Sequence, residues 1–185
     1  MALNVSENRI CTYAPFSLDI TMIQAIAYKE SLFPSYIKSG KVRFVDPAIN
    51  GINYKVYEGE WKDKPDLSKL REVSNGRQFD FDVKRIEKRE DYVAIEFYGF
   101  IQIKKAGVYS FSSWANDGSW VFINNKLMAD TPAGTLSGDI RLAEGKYPIR
   151  VIYFESTGTE SLNVLMSGPG IEKQAIAESL LFFAN

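Results

Sequence analysis

Three consecutive residues, Asn116, Asp117 and Gly118, are the sharpest candidates for chemistry in this chain. They separate Val108–Trp114 from Trp120–Ile123, two runs rich in β-branched and aromatic residues that are typical of strands. Carboxylate and amide oxygens suit Ca²⁺, which takes six to eight hard oxygen ligands and can share them with a sugar diol. The alternative is a tight turn in which the two polar side chains satisfy backbone groups and Gly118 adopts a positive φ.

The three tryptophans form a second group of candidates. Trp114 and Trp120 flank the Asn116–Gly118 loop, and Trp61 lies in a polar stretch of lysine, aspartate and proline residues. An exposed indole can stack on a pyranose ring and bury its apolar C–H surface. Within strands, however, packing is the favoured role of Trp114 and Trp120, whereas the polar surroundings of Trp61 leave exposure and burial about equally open.

Acidic pairs could in principle catalyse glycoside hydrolysis, which needs two carboxyl groups about 5 to 9.5 Å apart. The pairs are Asp80 with Asp82, Glu87 with Glu90 and Asp91, and Glu155 with Glu160. Any acidic chain offers such pairs by chance, and the chain has no histidine for a catalytic triad or a His-ligated metal. We therefore predict no catalytic residues. Asp139 and Glu155 could join Asp117 only if the fold brings them to the same end.

Charge and composition exclude several classes of partner. The 22 basic and 23 acidic residues give a net charge of −1, so no electrostatic footprint for nucleic acid is present. A single cysteine, Cys11, excludes an internal disulfide framework. No apolar run approaches about 18 residues, so we predict no membrane insertion.

The pattern of apolar residues predicts an all-β fold, an antiparallel β-barrel or sandwich. Strict alternation between Tyr92 and Ile103 is the clearest strand signal, and Asn124-Asn125 reads as a two-residue turn with positive φ angles. We expect two hairpins back to back between Gly107 and Asp130. A helical turn is predicted at Ser68–Val73 and a closing strand at Ala175–Phe183. Asp46-Pro47 breaks the pattern and predicts two segments, 1–46 and 47–185.

Three motifs in order, YSFSSWANDGSWVFINNKLMAD, AEGKYPIRVIYFE and SLNVLMSGPG, resemble the PA14 (PA-fourteen) domain. This lectin-like β-barrel is named for anthrax protective antigen and is found in bacterial glycosidases and yeast adhesins. The resemblance covers roughly Ala48 to Asn185. In lectin members two consecutive aspartates, often joined by a cis peptide, hold a calcium ion that coordinates sugar hydroxyls. Asn116 replaces the first aspartate here, so the resemblance implies a weakened or absent calcium site at Asn116 and Asp117.

The segment Tyr13–Ser35 resembles the C-terminal half of the small fibronectin-like sandwich that follows the catalytic domain in chitobiase-type exoglycosidases. The resemblance implies that residues 1–46 are part of such a domain, within a longer protein. An incomplete sandwich leaves an unpaired strand edge, so we expect this segment to pack on the barrel or to pair with another copy.

Together these features suggest a noncatalytic carbohydrate-binding module that recognises glycans through the loop Trp114–Ser119. The resemblance implies a parent that is a secreted, periplasmic or cell-surface bacterial glycoside hydrolase of β-hexosaminidase or related type, with its catalytic domain as a partner. The alternative is a structural module that packs on that catalytic domain and shapes its cleft without binding free sugar.

Overall fold

The computed structural model describes residues 21–25, 38–42, 45–131 and 138–184. The chain divides into two units, Met1–Val45 and Asp46–Asn185. In the first unit, β1 (Thr21–Ala25) pairs antiparallel with β2 (Lys38–Val42). Most of the predicted fibronectin-like segment lies outside the described residues. The fibronectin-like fold of this segment and its unpaired strand edge therefore stay predictions.

The second unit is built from two antiparallel sheets. The large sheet contains β3 (Ile52–Glu58), β4 (Glu72–Gln78), β5 (Val93–Ile103), β7 (Gly118–Ile123), β8 (Lys126–Asp130), β10 (Gly145–Glu155) and β13 (Leu181–Phe183), in the order β4-β3-β5-β10-β7-β8 with β13 on β5. The small sheet has the order β12-β11-β6-β9, with β6 (Gly107–Ala115), β9 (Gly138–Leu142), β11 (Leu162–Gly168) and β12 (Ile171–Ala175). The predicted all-β fold class is confirmed, as a sandwich rather than a closed barrel.

Helical structure is limited to short 3-10 turns in the part of the chain that the structure describes, at Leu67–Lys69, Val83–Arg85 and Glu178–Leu180. The turn predicted at Ser68–Val73 is therefore shorter than expected, because the chain already enters β4 at Glu72. The predicted closing strand is split into β12, a 3-10 turn and β13. No helix among the described residues has the length and apolar character needed to cross a membrane.

The main core lies between the two sheets. The alternating apolar residues of β5, namely Val93, Ile95, Phe97, Ile101 and Ile103, are all buried in it. Tyr109 and Phe111 of β6 pack into the same core from the small sheet. The period-two pattern therefore predicted the inward face of β5 correctly.

A second apolar cluster covers the outer face of the large sheet. Trp120, Ile152 and Phe154 of the sheet pack with Leu67 from the connection between β3 and β4, and Trp61 lies against them. The rings of Trp120 and Phe154 are stacked, with centroids 5.9 Å apart. Because this connection covers the sheet, β10 is buried on both faces along its second half.

The central segment differs from the two consecutive hairpins that the sequence predicts. Only β7 and β8 form a hairpin. β6 pairs with β11 and β9 in the small sheet, whereas β7 pairs with β10 in the large sheet. The chain thus crosses from one sheet to the other at Asn116 and Asp117. The loop position was predicted correctly, but the pairing of its flanking strands was wrong, because sheet membership depends on distant strands.

The β7–β8 turn gives a test of local turn chemistry. Asn124 and Asn125 have φ angles of 49° and 62°, as predicted, and Asn tolerates this left-handed region better than alanine. We expect Asn125→Ala to lower the free energy of unfolding by about 1 kcal/mol in urea denaturation. Lys126→Ala, at an exposed neighbouring position, is the matched control and should have little effect. Equal stability of the two variants would contradict this account.

Candidate functional site

Three segments meet at one end of the sandwich: residues 87–92, 115–118 and 155–161. The strand register sets this arrangement, because Glu155 lies opposite Val93 of β5 and Phe154 lies opposite Gly118 of β7. The crossing between the sheets therefore reaches the same end as the start of β5 and the end of β10.

Hydrogen bonds join the crossing to the segment after β10. The Asp117 carboxylate accepts a hydrogen bond from the backbone N–H of Ser156, with an N···Oδ2 distance of 2.6 Å. The backbone N–H of Asn116 donates to the Ser161 carbonyl at 3.3 Å. Gly158, with a φ of 114°, lies close to the Asn116 side chain. Asn116 itself is exposed and Asp117 is half-buried.

Glu155 is the buried carboxyl at the centre of this end, with an exposed fraction of 0%. Its Oε2 accepts a hydrogen bond from the Tyr153 hydroxyl at 2.7 Å, and its Oε1 lies 3.5 Å from the Asn116 amide nitrogen. Burial raises the pKa of Glu155 above its ordinary value, and the adjacent Asp117 carboxylate raises this pKa further. This shift favours protonation more than in a free carboxyl group. A protonated Glu155 can donate a hydrogen bond to Asp117 while it accepts one from Tyr153.

The connection between β4 and β5 holds the segment after β10 from the other side. The Asp91 carboxylate accepts from the Gly158 N–H at 3.3 Å, and the Tyr92 N–H donates to the Ser156 carbonyl at 2.9 Å. The Lys88 ammonium and the Glu160 carboxylate form an ion pair at 2.6 Å, and only 4% of the Lys88 side chain is exposed. Residues 156–161 are thus fixed on both sides.

A model of the PA14 domain family matches residues 50–179 of the chain. The chain belongs to the PA14 domain family. No curated protein sequence matches it.

Solved structures show the same fold. An anti-sigma factor domain-containing protein matches with a TM-score of 0.59 and 20% identity, over 74% of this chain and 48% of that protein, so this chain spans about half its length. The PA14 sugar-binding domain from an RTX adhesin matches with a TM-score of 0.56 and 13% identity, over 74% and 99% of the two chains. The Epithelial Adhesin 6 A domain from Candida glabrata, crystallised with Galβ1-3GlcNAc, matches with a TM-score of 0.55 and 12% identity, over 74% and 88%. At these identities the likeness establishes the fold.

The three tryptophans of this PA14 domain have different surroundings. Trp114 is on the outer face of the small sheet with 54% of its surface exposed. Trp120 is 4% exposed and belongs to the outer cluster of the large sheet, and Trp61 packs against the same cluster. The expected ligand role of Trp120 is therefore corrected to a packing role, because neither face of its indole is free. Trp61 is half-buried rather than fully exposed.

Gly118 is required for a reason other than the one predicted. Its φ is not in the positive region, although four other glycines among the described residues have a positive φ. An alanine Cβ at this position would lie 2.5 Å from the ring of Phe154, too close for a real contact. The buried Gly118 therefore allows the start of β7 to approach β10, and it offers no side chain to a ligand.

The residues at the crossing do not fit the calcium site that the family resemblance implies. No group of three or more Asp, Glu, His or Cys residues suited to a metal ion occurs among the described residues. Asp117 already accepts a backbone N–H, and the Glu155 carboxyl is buried and accepts a hydrogen bond from Tyr153. Asp139 is on β9 and bonds to Ser110, away from the crossing. Calcium binding by Asn116 and Asp117 therefore stays a prediction without structural support, and no step below depends on it.

The acidic pairs also have structural partners. Asp80 and Asp82 both pair with Arg85, at 3.2 and 3.1 Å, and Glu160 pairs with Lys88. Sequence reasoning missed Lys88 and Ser156, and it considered Asp91 only as a member of an acidic pair. One usable signal was present: the strand VIYFE ends in a carboxylate, and a polar Ser-Thr-Gly-Thr stretch follows it directly. Such a change from buried strand to polar loop marks the end of a sheet where sites form.

The Lys88–Glu160 ion pair should stabilise the segment after β10. Replacement of Lys88 by Met leaves the Glu160 carboxylate without its partner, so we expect a loss of about 3 kcal/mol in the free energy of unfolding. The control is Lys69→Met, which breaks an exposed ion pair with Asp66 and should have no measurable effect. Both are measured by urea denaturation. Equal small effects would show that the buried pair contributes nothing.

The raised pKa of Glu155 makes stability depend on pH. Because the pKa of Glu155 is higher in the folded state than in the unfolded state, the protonated side chain contributes its full stabilisation at pH values below the unfolded-state pKa, near 4.5. This stabilisation is lost as pH rises through the folded-state pKa. Glu155→Gln keeps a neutral side chain at every pH. We expect its stability relative to wild type to increase with pH, by about 1.4 kcal/mol for each pH unit between the two pKa values.

Thermal and urea unfolding of both proteins between pH 4 and pH 8 measures this difference. Glu172→Gln, at an exposed position on β12, is the control. A stability difference between Glu155→Gln and wild type that is constant with pH would contradict the raised pKa.

Proposed function

We propose that this PA14 domain is a noncatalytic carbohydrate-binding module that recognises glycans at the loop Trp114–Ser119. The observation that carries the proposal is that three suitable groups lie within four consecutive residues. They are the exposed indole of Trp114, the exposed amide of Asn116 and the half-buried carboxylate of Asp117. Sugars present both hydroxyls and an apolar C–H face, so a few polar groups beside an aromatic ring suit them. The family membership supports the same reading, since structurally similar domains include a sugar-binding domain and an adhesin in complex with Galβ1-3GlcNAc.

Asn116 and Asp117 are the polar contacts in this proposal. The Asn116 amide can donate to and accept from sugar hydroxyls, and Asp117 retains acceptor capacity beyond its bond to Ser156. Behind them the buried Glu155 carboxyl lies 3.5 Å from the Asn116 amide nitrogen and supports its position. The exposed residues Thr157 and Thr159 lie on the adjoining segment and add hydroxyl groups beside the crossing. Fixed polar groups lower the entropy that a ligand must lose on binding.

We further propose that the domain is an accessory module of a larger secreted, periplasmic or cell-surface glycoside hydrolase of β-hexosaminidase or related type. Support comes from the motif resemblances at both ends of the chain. In such a protein, weak sugar binding would raise the local concentration of substrate at a linked catalytic domain. The reaction itself would belong to that domain, because Asp80, Asp82 and Glu160 form ion pairs with basic residues of this domain.

The direct test is a glycan array probed with this chain, once with millimolar calcium and once with a chelator. The array includes Galβ1-3GlcNAc, the ligand of the Candida adhesin. Binding that survives chelation is expected, because the described residues do not form a metal site. Binding that requires calcium would revise the site, and absence of binding in both conditions would favour the structural module that packs on a catalytic domain.

Two variants of Asp117 distinguish a direct contact with the ligand from support of the loop. We expect Asp117→Ala to weaken glycan binding at least about tenfold, whereas Asp117→Asn keeps an acceptor for the Ser156 N–H and loses less. Isothermal titration calorimetry measures affinity, and a thermal melt verifies that each variant is folded. Asp139→Ala removes an exposed carboxylate on β9 and is the control. Unchanged affinity in Asp117→Ala would overturn the assignment of this loop.

A further inference from the structure

The outer face of the small sheet carries an aromatic side chain that the fold does not use. Trp114 has 54% of its surface exposed, whereas Trp120 is 4% exposed and stacked on Phe154. Within residues 45–131 and 138–184, no aromatic ring or cation lies over the Trp114 indole. The indole is therefore a large apolar surface that folding leaves in water.

The strand register identifies the neighbour of Trp114. β6 pairs with β11 so that Trp114 lies directly opposite Asn163, which is also exposed. Directly opposed residues in an antiparallel pair have Cβ atoms about 5 Å apart and their side chains on the same face. An indole beside a primary amide thus stands on this face. Further along β6, Ser110 bonds to Asp139, so the face also carries small polar groups, beside the apolar side chains of Val108 and Leu165.

This chemistry is selective among possible ligands. A second protein surface would call for a broad apolar area, but the residue opposite Trp114 is the amide of Asn163, and the same face combines the Ser110 hydroxyl and the Asp139 carboxylate with the apolar Val108 and Leu165. A pyranose ring combines an apolar face that stacks on an indole with equatorial hydroxyls that an adjacent amide can bind in both directions. The mixed character of the face therefore favours a saccharide.

The face is continuous with the crossing loop. Trp114 is two residues before Asn116, about 6.6 Å along an extended chain. Asn163 is two residues after Ser161, whose carbonyl accepts the Asn116 N–H. Both strands therefore lead from the indole and amide pair to the loop, and a ligand seated at Asn116 and Asp117 would project its next sugar ring toward this pair.

We propose that Trp114 and Asn163 form a second saccharide subsite, so that the ligand of this domain is an oligosaccharide of at least two rings rather than a single terminal sugar. The inference rests on the proposed function and names its ligand class. The loop at Asn116 and Asp117 holds one ring, and the outer face of β6 and β11 holds the next ring by stacking on Trp114.

The test compares affinities for ligands of increasing length. Galactose, glucose, mannose and N-acetylglucosamine are each used as monosaccharide, disaccharide and tetrasaccharide, with binding measured by calorimetry. For the sugar that binds, we expect affinity to rise about tenfold from one ring to two. Trp114→Ala should reduce the ratio of tetrasaccharide to monosaccharide affinity about tenfold, and Asn163→Ala about threefold. Trp114→Phe should restore part of the ratio, because it keeps a ring for stacking.

Val108→Ala is the matched control, since Val108 is 44% exposed on the same strand but lies opposite Arg141, away from the crossing. It should leave the ratio unchanged. Tryptophan fluorescence gives an independent readout: the disaccharide should shift the emission of wild type, and Trp114→Ala should abolish that shift. Thermal melts verify that the variants are folded.

Four outcomes would overturn the proposal. An affinity that does not rise with length, or affinities that Trp114→Ala leaves unchanged for every ligand, would exclude a second ring on this face while the loop site stands. Equal loss for ligands of all lengths in Trp114→Ala would place the indole in the first subsite instead. Absence of binding to every sugar would overturn the proposed function and this inference together, and would assign the exposed indole to a protein contact.

Discussion

The passage of the chain between the two sheets depends on a carboxyl group that no solvent reaches. Glu155 ends the central strand β10, and its neighbours are Tyr153, Asn116 and Asp117. A charged carboxylate in this position would be costly, because it would lie unpaired beside a second carboxylate. The neutral form removes that cost and supplies a hydrogen-bond donor. The crossing at Asn116 and Asp117, the start of β7 and the segment after β10 all take their positions from this arrangement.

The two sheets differ in how their outer faces are used. The connection between β3 and β4 covers the large sheet, and its Leu67 and Trp61 pack with Trp120. The outer face of the small sheet has no comparable cover among the described residues, and Trp114 remains exposed there. Trp114 and Trp120 lie on either side of one loop, but Trp120 is a packing residue on the large sheet, whereas Trp114 is an exposed surface on the small sheet. The second half of β10 is buried on both faces, and the crossing is held against this end of the strand.

This construction accounts for how a PA14 domain could present a binding site without a metal ion. In the proposed function, the loop takes its position from the hydrogen bonds that Ser156 and Ser161 form with Asp117 and Asn116, beside the buried Glu155 carboxyl, rather than from a fixed cation. The Lys88–Glu160 pair and Asp91 hold the adjoining segment from the opposite side. Such support from several directions limits loop motion, which favours binding through a few well-placed polar contacts.

Local sequence determined the elements of this protein. Alternation along β5 specified its inward face, Asn124-Asn125 specified a turn with positive φ, and the Asn-Asp-Gly sequence specified a break between strands, because side-chain period and turn chemistry act within a few residues. Tertiary structure decided the rest. The assignment of β6 and β7 to different sheets, the burial of Trp120 against the exposure of Trp114, and the meeting of Glu155 with Asp117 all depend on pairing with strands far along the chain. A period-two pattern shows that a residue faces one side of a strand, but only the partner strands decide whether that side meets a core, a covering loop or solvent.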